Sequence, residues 1–153
     1  MAELTTSVDI DAPPATVWQV LTDFSSYPGW NDYMHISGQP TVGSRLHVSP
    51  GPAAGRLPTF KPRVLTADEN RELRWLGHFY VNGLFDGEHR FVIDDLGDGR
   101  SRFTQSETFS GLLVGPFNRL MSSQTERNFN AVNAALKERA ESLEQAAHSD
   151  TAA

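Results

Sequence analysis

Two strand-like runs, Gly83–Asp94 and Ser101–Ser110, carry the side chains best placed to do chemistry. Aromatic residues on a half-buried strand face the core, so Phe91 and Phe103 are taken as inward. Alternation then turns Phe85, His89 and Ile93 to the same side, together with Gln105, Glu107 and Phe109. Arg90, Arg102, Thr104 and Ser106 face water. A hairpin closed around Gly97-Asp98-Gly99 that opposes Phe91 to Phe103 sets His89 opposite Gln105 and diagonal to Glu107. An imidazole beside a carboxylate can pass a proton to or from a substrate. The preferred reading of His89 and Glu107 is a buried hydrogen-bonded pair that orients a ligand or the core, with acid/base catalysis as the alternative.

Other chemistries find no residues. The sequence has no cysteine, which removes disulfides, thiolate nucleophiles, cysteine-ligated zinc and iron–sulfur clusters. His35, His47, His78, His89 and His148 show neither an i, i+4 pair nor a His-x-His spacing, so neither a metal site nor a cofactor is expected. No glycine loop of the phosphate-cradling kind is present. Arg56, Lys61 and Arg63 form a basic cluster that reads first as a solvated strand edge and second as a contact for a ligand carboxylate. A formal charge of −6 opposes binding to nucleic acid or to an anionic lipid surface. With no basic leader and no apolar window of spanning length, a soluble, cytoplasmic protein without stable membrane insertion is expected.

The elements that must position these residues follow from periodicity. Leu4, Thr6, Val8 and Ile10 alternate with polar residues as a first strand, stopped by Asp11-Ala12-Pro13-Pro14. A short helix follows with Val17, Trp18, Val20, Leu21 and Phe24 on one side, ending at Ser25-Ser26-Tyr27-Pro28-Gly29. Two short strands between Met34 and Val48 flank the turn at 39–43, and residues 49–58 form an aperiodic loop read as a lid. Strand-like runs at Phe60–Thr66 and Glu72–Phe79 precede the two already named. Neither glycine nor proline occurs after Pro116, and apolar residues recur at helical spacing from Phe117 to about Ala147. Such a helix, on the order of 45 Å long, must lie across the sheet. The division is one domain over 1–147 with a frayed tail at 148–153.

On that helix, positions 117, 121, 124, 128, 131, 132 and 135 share a broad face, which sets Gln124 and Asn128, with Thr125 beside them, among Phe117, Met121 and Val132. Amides amid apolar residues suggest a wet or ligand-filled hollow, or alternatively a helix phase that carries Gln124 and Asn128 to the solvent edge. The nine Phe, three Trp and three Tyr exceed what a small core needs. Trp18, Phe24 and Trp30 are assigned to packing, and Trp75, Phe79, Phe85, Phe91, Phe109, Phe117 and Met121 to the wall of a cavity. Its polar groups would be His89, Gln105, Glu107, Gln124 and Asn128. A dry void of about 300 Å³ would cost roughly 7 kcal/mol, so the hollow has to hold water or a ligand.

The segment Ile10-Asp11-Ala12-Pro13-Pro14-Ala15-Thr16-Val17-Trp18 through Phe24 resembles the opening of the START-related, birch-pollen-allergen-like superfamily (SRPBCC). Tyr27-Pro28-Gly29-Trp30-Asn31, Phe85-Asp86-Gly87-Glu88-His89-Arg90-Phe91 and Ser106-Glu107-Thr108-Phe109-Ser110-Gly111 are similar to its bacterial members of the polyketide cyclase and lipid-transport type. The resemblance runs from about Thr6 to Leu143. It implies an α+β helix-grip fold: a seven-stranded antiparallel sheet wrapped around a long C-terminal helix, with one or two short helices after the first strand and an apolar cavity between sheet and helix. It does not imply one chemistry. The leading expectation is binding of a small hydrophobic or amphipathic ligand, lipid-, isoprenoid- or polyketide-like. One alternative is an aromatase/cyclase or dehydratase using His89 and Glu107 for proton transfer. Another is a regulator of the chaperone-activator type, which would show an exposed apolar patch; nothing in the sequence specifies a protein partner.

Overall fold

The computed structural model describes residues 2–55, 58–79, 83–112 and 114–152. Strand β1 (Ala2–Ile10) leads into helix α1 (Pro14–Thr22), whose start is set by Pro13 in extended backbone and Pro14 in the first turn. Asp23 closes α1 through its N–H to Gln19 O at 3.0 Å, and its carboxylate accepts from Ser25 Oγ at 3.0 Å and Ser26 Oγ at 2.6 Å. Those two hydroxyls, Ser26 first, hold the Asp23 carboxyl below its ordinary range. A 3-10 helix, Phe24–Gly29, follows and buries Tyr27, whose hydroxyl donates to Leu21 O at 2.5 Å.

Strands β2 (Met34–Ser37) and β3 (His47–Pro50) form one antiparallel ladder. Strands β4 (Arg63–Asp68), β5 (Glu72–Phe79), β6 (Phe85–Gly97) and β7 (Arg100–Ser110) join β1 in a second, ordered β1-β7-β6-β5-β4. Bridges at Arg45–Arg63 and Val48–Phe60 connect the two. The seven antiparallel strands expected are therefore present among the described residues, five in one ladder and two in another. β4 begins at Arg63, not at Phe60, because Pro62 has no N–H to give the ladder. Helix α2 spans Val114–Ala152 and closes the α+β fold. It takes Pro116 in its first turn and continues past the expected fray at His148, whose Nε2 lies 3.1 Å from Glu144 one turn back.

The β6–β7 register differs from the expected one by two residues: Ile93 opposes Phe103, Phe91 opposes Gln105 and His89 opposes Glu107. The chain reverses in a tight turn on Asp98 (φ 55°) and Gly99 (φ 74°), and a bulge between Asp95 and Gly97 adds one residue to β6. An even shift keeps every side chain on its expected face.

The second half of α2 buries Leu136 and Ala140 against the sheet and α1. Polar ties fix its position: Lys137 Nζ donates to Asp9 O at 2.8 Å, Asp11 N to Glu141 Oε2 at 2.8 Å and Thr16 Oγ1 to Glu144 Oε2 at 2.9 Å. Below them Ile10, Leu73, Phe103 and Leu136 form the core.

Candidate functional site

His89 on β6 and Glu107 on β7 are cross-strand neighbours, 6% and 9% exposed. The imidazole Nδ1 contacts Glu107 Oε2, and Nε2 lies 2.8 Å from Gln105 Oε1. Gln105, 1% exposed, donates through Nε2 to Asn133 Oδ1 at 2.9 Å and approaches Phe129 O at 3.5 Å. Asn133 in turn donates to Thr6 Oγ1 at 2.8 Å. Glu107, His89, Gln105, Asn133 and Thr6 thus form a continuous polar chain through β7, β6, α2 and β1. Aromatic rings hold the imidazole: Phe91 stacks on it at 4.3 Å, and Phe129 and Trp75 lie at 5.1 and 5.3 Å. Burial of polar groups at this density is tolerated because each has a partner.

The upper end of this chain opens into a cavity of about 160 Å³ between sheet, α2 and the β2–β3 ladder. Among the residues singled out in the sequence, His89, Gln105, Glu107, Phe109, Thr125, Asn128 and Val132 line it. Trp75 and Phe91, each 1% exposed, are packed in the core behind His89 instead of on the wall. Phe85 is half-buried, its ring tilted against Phe109 at 5.6 Å, and it is not among the residues that line the cavity. Gln124 is exposed; it donates to Asn128 Oδ1 at 2.9 Å and accepts from Arg127 at 2.8 Å, so the helix phase turns it to the rim. The side chains of Phe79, Phe117 and Met121 lie outside the described residues.

Several lining residues were not anticipated: Tyr33, Met34, Val48, Phe60 and Phe129; Ser49, Pro50 and Pro58 come from the stretch expected as a lid. Asn31 places the first of these. It is 1% exposed, and its Oδ1 accepts from Tyr33 N at 2.9 Å and Met34 N at 3.0 Å, an Asx turn that aims both side chains inward. Gly51 N then donates to Tyr33 O at 3.0 Å and Ala53 N to Asp32 O at 2.8 Å, docking the loop after β3 on the same segment; Ser49 and Pro50, expected in that loop, are paired in β3 instead. A Cβ on Gly51 would stand 2.3 Å from Asp32 O, so only glycine permits this approach. Asn133 was also missed. Its sequence signal is an amide four residues after Phe129 and three before Leu136, in the middle of the buried stripe.

The opposite face of the sheet is charged. Glu72 accepts from Arg90 Nε and, at 3.1 Å, from Arg74. Burial pushes its carboxyl up, but the Arg90 and Arg74 guanidiniums outweigh that and hold it below the ordinary glutamate range. Among the described residues no three His, Asp or Glu side chains converge as metal ligands, and no helix is long and apolar enough to cross a membrane.

Residues 1–141 match the family described as polyketide cyclase / dehydrase and lipid transport. The chain belongs to that family. No curated protein matches it by sequence. Solved structures of the same fold include a START superfamily protein from Mycobacterium smegmatis, 21% identical over 92% of this chain and 98% of that one, with a TM-score of 0.71. The Zhui aromatase/cyclase from Streptomyces sp. R1128 is 20% identical over 92% and 93%, TM-score 0.71. A norcoclaurine synthase from Thalictrum flavum is 14% identical over 94% and 96%, TM-score 0.71. Identities this low show that this member of the polyketide cyclase/dehydrase and lipid transport family shares the START-like helix-grip fold with them.

Proposed function

We propose that the chain binds a small hydrophobic or amphipathic molecule, lipid-, isoprenoid- or polyketide-like, in the cavity between the sheet and α2. The observation that carries this reading is a partly open cavity of about 160 Å³ with Phe, Val, Met and Pro walls and one buried ionisable pair at its polar end. The volume suits a single ring or a short stretch of chain. A longer ligand would need the segment after β3, which supplies Pro58, to act as a lid and move. A related fold offers a parallel: the Thalictrum flavum synthase was solved with dopamine and hydroxybenzaldehyde, both single-ring molecules. Native mass spectrometry of gently purified protein is expected to show a mass increment lost on denaturation. Bare protein throughout, with no shift in Tm across a panel of amphipathic ligands, would contradict the reading.

The second reading is a cyclase- or dehydratase-type enzyme in which His89 and Glu107 move protons. It is favoured by their direct contact on the cavity wall. If His89→Ala and Glu107→Gln abolish turnover of a polyketone while affinity stays, catalysis holds; equal loss of affinity returns the pair to a binding role.

A further inference from the structure

We infer that Asn133 is a positioning residue: acting through Gln105, it locks the His89 proton on Nε2 and makes the cavity's polar end a hydrogen-bond acceptor that selects ligands carrying a donor. The ligand half of this inference rests on the proposed binding function; the proton half does not.

The order of donors follows from one fixed group. Phe129 O is a backbone carbonyl and can only accept, so the Gln105 group facing it, 3.5 Å away, is the amide NH₂. The same NH₂ donates to Asn133 Oδ1 at 2.9 Å, and Asn133 keeps that oxygen turned inward by spending its own NH₂ on Thr6 Oγ1 at 2.8 Å. Gln105 Oε1 is therefore the atom 2.8 Å from His89, and His89 Nε2 has to carry a proton to bond it. Nδ1 meets Glu107 Oε2. Two bare lone pairs in contact in a buried site repel, so one further proton lies between them, on the imidazole or on the carboxyl.

Either placement has the same result for a ligand. Oε2 is used by His89, and both imidazole N–H groups are turned to protein partners. Glu107 Oε1 makes no hydrogen bond with the described residues and belongs to a side chain on the cavity wall. Whether the pair is imidazolium–carboxylate or imidazole–carboxylic acid, Oε1 accepts. A hydroxyl or N–H on the ligand finds a partner there, whereas a carbonyl oxygen of the same size meets a lone pair.

Nitrogen-15 NMR of the His89 ring tests the proton half in the wild-type protein. The expected result is a pyrrole-type Nε2 coupled to its own proton at neutral pH. A pyridine-type Nε2 would overturn the lock. Asn133→Leu removes the nearer of the two acceptors that orient Gln105, leaving only Phe129 O at 3.5 Å, and should move Nε2 toward the pyridine type, while Asn133→Asp, which keeps an acceptor oxygen in either protonation state, should restore the wild-type signal. An unchanged signal in Asn133→Leu would remove Asn133 from the account. For the ligand half, benzyl alcohol and benzaldehyde differ in little but the donor, and the alcohol should bind about tenfold more tightly, the effect of one net hydrogen bond. Equal or tighter binding of benzaldehyde overturns donor selection. If neither binds while Nε2 is protonated, the donor-selecting site and the binding function fail together and the positioning role of Asn133 stands.

Discussion

His89 is held by more groups than any other ionisable side chain described: a carboxylate on one nitrogen, an amide on the other and three aromatic rings around it. Replacing Gln105 by Leu leaves His89 Nε2 and Asn133 Oδ1 without partners in a buried site. Each orphan costs about 1–3 kcal/mol, so urea denaturation of Gln105→Leu should show a lowered midpoint with an unchanged slope. A second site reports through Phe60: a Cβ on Gly77 would stand 2.8 Å from the Phe60 ring, which lines the cavity. Gly77→Ala should therefore weaken ligand affinity while lowering stability by no more than about 1–2 kcal/mol, read by titration and melting in parallel. His89, Gln105 and Glu107 could be found in the sequence because alternation has only two answers for each strand. Asn133 could not, because its meaning depends on Gln105 reaching it from another element, and Tyr33 and Phe60 enter through turns that no period describes.

At the scale of elements, β5 and β6 are joined on their outer face by Glu72, Arg74, Arg90 and Glu88. A carboxyl held below its ordinary range stabilises the fold above the unfolded-state value, about pH 4.3 for glutamate, and loses that contribution as pH falls through the folded one. Stability should thus decline on acidification below about pH 4–5, and Glu72→Gln should flatten this decline relative to wild type in denaturation series at several pH values. The β2–β3 ladder depends on Gly51. Gly51→Ala drives a Cβ into Asp32 O and should break the Gly51 N to Tyr33 O bond, lowering Tm and loosening Tyr33 at the cavity. Glu72–Phe79 was legible to the residue because glutamate–arginine alternation frames it. The β6–β7 register follows from its turn, since a reversal centred on Asp98 pairs His89 with Glu107, whereas opposing Phe91 to Phe103 puts the centre one residue too early.

Across the whole molecule, α2 has two roles divided along its length. Its second half, with Leu136 and Ala140, is fixed by packing and by Lys137, Glu141 and Glu144 to the end of the fold that holds α1. Further toward its start, Thr125, Asn128, Phe129 and Val132 face a hollow. The order strand, short helix, hairpins, long helix was readable from proline placement and periodicity, because each element buries one continuous stripe. The cavity's extent was not, since Trp75 and Phe91 have the same residue type and strand phase whether they face a void or a neighbouring ring. The most direct test of the central claim is calorimetric titration of benzyl alcohol into wild type and Val132→Phe, which inserts a ring into the hollow. Saturable binding to the wild type, abolished in a Val132→Phe protein that melts at or above the wild-type temperature, is the result predicted. No saturable binding to the wild type, or equal binding to both, would contradict a ligand site between the sheet and α2.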